Sequence, residues 1–365
     1  MTSSETAPTP PAIPSAPALE AANPQGAFAR FQASRYRRML LLLSAVMVAI
    51  SLLGFLVNAR DPQIGAPLRA GLDFQGGTSI QLELACHDPG PCDASERLQL
   101  PVVRSVLADS PLEPAGDRQP APTPSSFNLQ LLDNGEGILL RSTALTVAQA
   151  QAIEEQLAAA ESIAPLQRER TRVDTIGPSL GAQLLNSALR ALAAAFLGVA
   201  VYIAIRFSPI NAALALGALA HDVVIVAGLF AWLGQFLDVE VGSLFAVALL
   251  TLAGYSVNDT VVVFDRIRET DRLQPHLGIT ARIDRSVAAS LVRSFNTSIT
   301  TELPILALAI FSGGELRWFA VALAFGIAVG TYSSLFVAPL LLSLLKKDPV
   351  RHPVADVANS TSLFP

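Results

Sequence analysis

The residue best placed to do chemistry is a carboxylate in the wrong solvent. Residues 242–264 (GSLFAVALLTLAGYSVNDTVVVF) are long and apolar enough to cross a bilayer, yet they carry Asn258 and Asp259 side by side. An acidic side chain at mid-membrane costs about 2.5–3.5 kcal/mol even on lenient insertion scales, so it marks an ion path or a paired structural charge. A carboxyl that alternates between holding a proton and pairing with a cation is a two-state switch. It responds to whichever side of the membrane supplies protons. The competing reading is a static polar contact, with Asn258 and Ser256 satisfying the carboxylate between helices.

Four other groups qualify for attention. Arg293 lies at the entrance to a later apolar run, 34 residues beyond Asp259. It reads either as the cation for Asp259 or as an ordinary anchor at a membrane surface. His221 and Asp222 sit together inside another apolar run and read as a proton relay or as a structural pair. Neighbours in a helix diverge by about 100°, so these two side chains need not meet. Glu302, with Pro304 beside it, reads as a second titratable site lining a hydrated cavity or as a polar contact; the proline removes a helix hydrogen bond and frees carbonyls. Asp265, Arg266, Arg268 and Glu269 read best as a solvated helix end with local pairs. Arg266 shares a helix face with Asp259, about 10 Å along the axis.

The elements that must hold these residues are membrane helices. The chain has 365 residues, 51% hydrophobic and only 15% charged, with mean hydropathy +0.46. Soluble domains carry about 25% charged residues, so an integral membrane protein is the default. No basic patch with interleaved aromatics supports a nucleic-acid role. Hydrolytic chemistry needs a nucleophile–base pair or a metal cluster, and four scattered histidines supply neither. No metal or cofactor is expected. No GxxxxGK[ST] phosphate loop occurs, and Gly76-Gly77 lacks the strand–loop–helix setting of one. Cys86 and Cys92, in CHDPGPC, form either a small disulfide loop outside the cytoplasm or two separate thiols.

Residues 1–34 begin with a stretch rich in Pro, Ala and Ser and read as a disordered tail. The first span is expected within 35–59, around the apolar run 39–57. It is too long for a signal peptide and lacks a small-x-small cleavage site. A polar region, 60–180, follows. Its pattern predicts strand 78–84, helix 94–107 after a cap at Asp93, strands 127–132 and 137–141 around Asp133-Asn134-Gly135, helix 146–160 with a Thr cap, and strand 168–176. The order βαββαβ predicts a ferredoxin-like domain. Residues 110–124, with five prolines, read as an exposed loop. Five further spans are expected within 181–346, at 184–205, 212–236, 242–264, 295–311 and 319–345, before a tail at 347–365. The fold class is therefore a polytopic α-helical membrane protein with six spans, one plus five, and an α+β insert after the first.

Charge sets the orientation. Arg35, Arg37 and Arg38 precede span one, Arg206 separates spans two and three, and Arg266, Arg268, Arg272, Arg282 and Arg285 lie between spans four and five. Lys346, Lys347 and Arg351 follow span six, whereas the opposite loops share one basic residue, Arg317. The positive-inside rule then puts both termini in the cytoplasm and region 60–180 on the far side.

Several motifs together resemble one family. GLDFQGGT at 71–78, with Gly71, Asp73, Phe74, Gly76 and Gly77, resembles the GxDFxGGT segment of the SecF family of bacterial protein-export subunits. VDTIGPSLG at 173–181 and His221-Asp222 are similar to further blocks. GYSVNDTVVVFDRIRE at 254–269, with Gly254 and Tyr255, is similar to the family's most specific one. GIAVGTYSS at 326–334 resembles its last-span pattern, and its small residues fit close helix packing. The resemblance covers about residues 36–346. It implies pairing with SecD in a twelve-span assembly of the RND type. That assembly uses the proton-motive force to promote late steps of export of unfolded polypeptides through SecYEG, with YajC as a further associate, in the bacterial inner membrane. It implies that Asp259, Arg293, Asn258 and Asp222 carry the coupling, with Glu302, His221 and Arg266 secondary. The family reads Arg-Thr where this chain has Arg293-Ser294, a mild change that keeps the hydroxyl. Glu302 departs from an apolar pattern. Asp73 reads as a turn or cap carboxylate. The alternative function is a free-standing RND-type exporter of small molecules or lipids, acting as a homodimer.

Overall fold

The computed structural model describes residues 31–62, 64–85, 97–109, 127–132, 135–142, 145–160, 162–167 and 171–346. The expectations for Asp93, the Asp133-Asn134 turn, the proline-rich segment, the cysteine loop and most of both tails fall outside these residues. Among the described residues, six helices are long and apolar enough to cross a membrane. We label them α1 (Arg37–Arg60), α4 (Pro178–Arg206), α5 (Pro209–Leu237), α6 (Ser243–Leu273), α7 (Ile279–Phe311) and a composite sixth. The sixth consists of α8 (Gly314–Tyr332), a wide π turn (Ser333–Val337) and α9 (Ala338–Leu345). Between α1 and α4 lie β1 (Gly77–Glu83), α2 (Leu100–Asp109), β2 (Asn128–Leu132), β3 (Gly137–Ser142), α3 (Val147–Ala159) and β4 (Arg172–Ile176).

Two compact units emerge. The first holds residues 55–194 and 230–247. Its strands form one antiparallel sheet in the order β2-β3-β1-β4, which is compatible with the ferredoxin-like arrangement expected of βαββαβ. β1 alternates as a half-buried strand should: Ile80 and Leu82 point inward with Ile138 and Leu140 of its partner. Val103 and Leu107 of α2 and Ile153 and Leu157 of α3 complete this core. Each such side chain contributes about 1.5–3 kcal/mol by leaving water. Thr146 caps α3 through a full capping box with Gln149.

Among the described residues α2 begins at Leu100, and residues 97–99, expected to be helical, are not. The reason is local: the Leu98 amide bonds the Gly135 carbonyl at 2.8 Å, which holds the chain to the hairpin before the helix can start.

The second unit holds 195–229 and 248 onward, together with the first 54 residues. α6 runs nine residues past the expected end at 264, and α7 starts sixteen residues before 295. Hydropathy detects only the part that suits lipid. The charged extensions stay helical because they pack and pair: Arg206–Asp265 at 2.9 Å, Arg282–Asp271 at 3.0 Å, Lys346–Asp271 at 2.9 Å. Asp284, buried, accepts bonds from the Ser34 amide at 2.8 Å and the Ser34 hydroxyl at 2.5 Å. Ile267, Ile283 and Val287 fill the space between the extensions.

Candidate functional site

α5, α6 and the composite sixth helix bury more than half of their most apolar stretches, while α1, α4 and α7 bury little. Both intramembrane aspartates lie on the buried helices, and both are sealed: Asp222 is 0% exposed and Asp259 3%. Small residues let the helices close up. A side chain on Gly326 would meet Leu252 at 3.0 Å, and one on Gly330 would meet Ser256 at 3.3 Å.

The two carboxylates differ in how well they are satisfied. Asp222 Oδ2 accepts from Ser256 of α6 at 2.6 Å and from Ser333 in the π turn at 2.8 Å. Its Oδ1 faces His221 Nδ1 at 2.9 Å. The neighbours therefore do meet, despite diverging along the helix. His221 Nε2 in turn lies 2.5 Å from Ser44 Oγ of α1. Asp259 has far less. Thr331 of α8 donates to it at 3.5 Å, and Ser298 of α7 lies 2.5 Å from that Thr331 oxygen. Thr331 has one proton, so Ser298 must be its donor. Arg293 acts on Asp259 through its charge, beyond ion-pair contact.

Other expected members are not gathered. Asn258 is exposed on the far face of α6, and Ser256 serves Asp222 instead of Asp259. Arg266 pairs with Glu269 at 2.5 Å, as a local helix-end pair would. Glu302 is half-buried near Thr301, whose hydroxyl accepts from Tyr255 at 3.2 Å. Thr300 and Thr301 bond carbonyls of residues 296 and 297, so neither serves the carbonyl that Pro304 frees. α7 nevertheless runs unbroken through it. Gly254 is exposed, and a side chain there would meet open space.

Sequence reasoning missed Ser44, Thr260, Ser298 and Thr331. Thr260 lies 2.7 Å from Ser334, and both reach the Ser256 carbonyl. One signal was available. Ser44, Ser51 and Asn58 recur every seven residues and are the buried polar positions of an otherwise exposed α1. The π turn carries both Ser333 and Ser334, and such turns recur at functional sites.

The glycine motif is a joint. Asp73 Oδ2 accepts from the Ser243 amide at 2.8 Å and from the Ser243 hydroxyl, capping α6. The Gly71 amide bonds Val241 O at 2.9 Å, and Val241 N bonds Arg69 O at 2.8 Å. Gly76, just before β1, and Gly77, its first residue, adopt φ of 73° and 134°, which side-chain-bearing residues avoid. A side chain on Gly181 of α4 would strike the Gly76 amide at 2.8 Å and Phe74 O at 3.1 Å. One short segment thus grips the sheet and the starts of α4 and α6. α6 carries Asp259 sixteen residues further on.

Comparison with known proteins decides the family. Residues 156–348 match the family described as protein export membrane protein SecD/SecF, C-terminal. The protein translocase subunit SecF of Prochlorococcus marinus is 43% identical over 319 residues, covering 87% of this chain and 96% of the relative. The chain belongs to the SecF family. The SecF subunit of a Synechocystis species is 37% identical over 321 residues, 87% of this chain and 96% of that one. Among solved structures, SecDF of Thermus thermophilus, described as a translocon-associated membrane protein, superposes with a TM-score of 0.69 at 29% identity, covering 87% of this chain. The chain spans 39% of that longer SecDF protein.

Proposed function

We propose that this multi-pass membrane protein acts in protein export as the SecF-type partner of SecD, and that the pair uses the proton-motive force to promote late steps of translocation. Relatives in which SecD and SecF form a single chain support the pairing. SecYEG, YajC and unfolded exported chains are its further partners in this reading. Its place is the bacterial inner membrane, with both termini cytoplasmic and region 60–180 periplasmic. The tails 1–34 and 347–365, the first span at 35–59 and the five-span region 181–346 complete this arrangement. The arginines flanking α1, α4 and α6 support the orientation.

One observation carries the proton-coupled reading. Asp259 is sealed in the membrane with a single long bond from a neutral hydroxyl, and its cation, Arg293, is near but not engaged. A buried charge left this incompletely satisfied is poised to change state. Asp222, fully bonded, is the supporting member.

Asp259→Asn tests this. It keeps size and polarity but does not titrate. Export driven by the proton gradient is measured in membrane vesicles, with immunoblots for the chain and SecD. Normal accumulation with loss of the proton response identifies Asp259 as the coupling group. An unchanged response makes the carboxylate structural and sinks the assignment.

A further inference from the structure

Ser44, His221 and Asp222 form an unbroken hydrogen-bonded row that ends at a cavity. The cavity, about 560 Å³, lies among α1, α5 and the sixth helix. Leu41, Val48, Leu214 and Leu341 are among its apolar walls, and Ser44 and His221 supply its polar side chains. Asp222 lies behind them, fully enclosed.

We propose that Ser44 and His221 relay protons between this cavity and Asp222, Ser44 passing a proton to Nε2 and His221 switching tautomer. The inference rests on the proton-coupled reading of Asp222. With Asp222 ionised, the Ser44 hydroxyl donates to Nε2 of a neutral imidazole, and Nδ1–H donates to Oδ1. A water-borne proton arriving at Ser44 Oγ displaces the serine proton onto Nε2. The Nδ1 proton passes to Asp222 Oδ1 as its N–H bond breaks. The row then holds one proton more: the carboxyl O–H donates to Nδ1, and Nε2–H donates to Ser44 Oγ. The serine proton turns to the Leu40 carbonyl one turn back, an acceptor that also receives the Tyr332 phenol at 2.6 Å. Ser256 and Ser333 bond Oδ2 in both arrangements. Every polar atom is satisfied either way, which keeps the two states close in free energy.

The groups facing the row are few. α5 contributes Asp222 itself, α6 contributes Ser256 with Asp259 one turn beyond, and the sixth helix contributes Ser333 and the Tyr332 phenol. Apart from Ser44, α1 brings no polar side chain to the row, and Arg293 of α7 acts on Asp259. The apolar walls hold water poorly, so proton delivery to Ser44 waits on a water entering the cavity transiently, which limits leakage through the row at rest.

The test is nitrogen NMR of the full chain in lipid nanodiscs. His87, His276 and His352 are replaced by Gln, so that ring signals report His221 alone. The Asp222 carboxyl is followed by the infrared carbonyl band that Asp222→Asn abolishes. The expected result is that the ring proton moves from Nδ1 to Nε2 as that band grows with acidification. Ser44→Ala abolishes the concerted move and Ser44→Thr retains it. A ring that keeps one tautomer while the band grows overturns the proposal, as does a band that never changes. A Ser44→Ala protein that follows the parent removes Ser44 from the role, even if its stability has dropped. The Asp259→Asn protein, examined alongside, keeps the switch, so failure of the main coupling reading is separable from failure of this one.

Discussion

Gly228→Ala should pry α1 away from α5. A methyl group there would sit 2.5 Å from Ser51 Cα, a backbone atom that no rotamer change can move aside. Carbon atoms rest at about 3.5–4.0 Å, so one helix must retreat by roughly 1 Å. Overpacking of this kind costs about 1–3 kcal/mol, offset by roughly 0.8–1.0 kcal/mol from replacing a helical glycine with alanine. The retreat reaches a second contact. Ser44 lies seven residues before Ser51, and His221 seven before Gly228, so the same helix pair carries the 2.5 Å Ser44–His221 bond. Losing that bond adds about 0.6–1.7 kcal/mol. The net loss is about 0.6–3.9 kcal/mol, roughly three- to 600-fold in the folded-to-unfolded ratio. Unfolding by denaturing detergent, followed by tryptophan fluorescence, measures it. Ser51→Gly in the same chain should restore only part of the loss, because it removes the serine Cβ and hydroxyl but leaves the Cα at 2.5 Å. A Gly228→Ala protein as stable as the parent would refute the argument that close approach of α1 fixes the His221 row.

Two further expectations concern the glycine motif. Asp73→Ala should cost about 0.5–2 kcal/mol by uncapping α6, with Asp73→Asn nearly neutral because asparagine caps as well; hydrogen exchange at the first turn of α6 reports the difference. Gly77→Ala should cost at least about 1–3 kcal/mol, since φ of 134° strains any side chain and the methyl would press on the Ser142 carbonyl of β3. Limited proteolysis between β1 and β3 should accelerate, and unchanged digestion would argue that the strand start readily relaxes.

The spans, the strand order and the capped α3 were legible because each rests on a local signal: apolar length, alternation, or a Thr with Gln three residues on. Asp259 and Asp222 were legible because a charge in hydrocarbon is conspicuous whatever surrounds it. Their partners were not. Ser44, Ser298 and Thr331 are ordinary residues for a membrane helix, and only the packing of five helices decides which side chain each hydroxyl meets. Asn258 misled for the same reason: adjacency in sequence placed it beside Asp259, but a helix turns neighbours to different faces. The helical extensions of α6 and α7 escaped notice because hydropathy falls where charged side chains begin, while the backbone coil continues. The Asp73 cap on Ser243 joins residues 170 positions apart; the cap chemistry was readable and its address was not.

The donors around Asp222 also impose an order of birth. His221 leaves the ribosome beside it, but Ser256 follows 34 residues later and Ser333 only after 111. At translation rates of roughly 5–20 residues per second, the last hydroxyl arrives about 5–20 s after the carboxylate. Throughout that interval the third span is a nascent segment with an incompletely matched acid. The final span therefore does more than complete the count of helices: its arrival closes the ring of donors, and a chain truncated before residue 333 would display an unfinished polar core to whatever machinery inspects newly inserted membrane proteins.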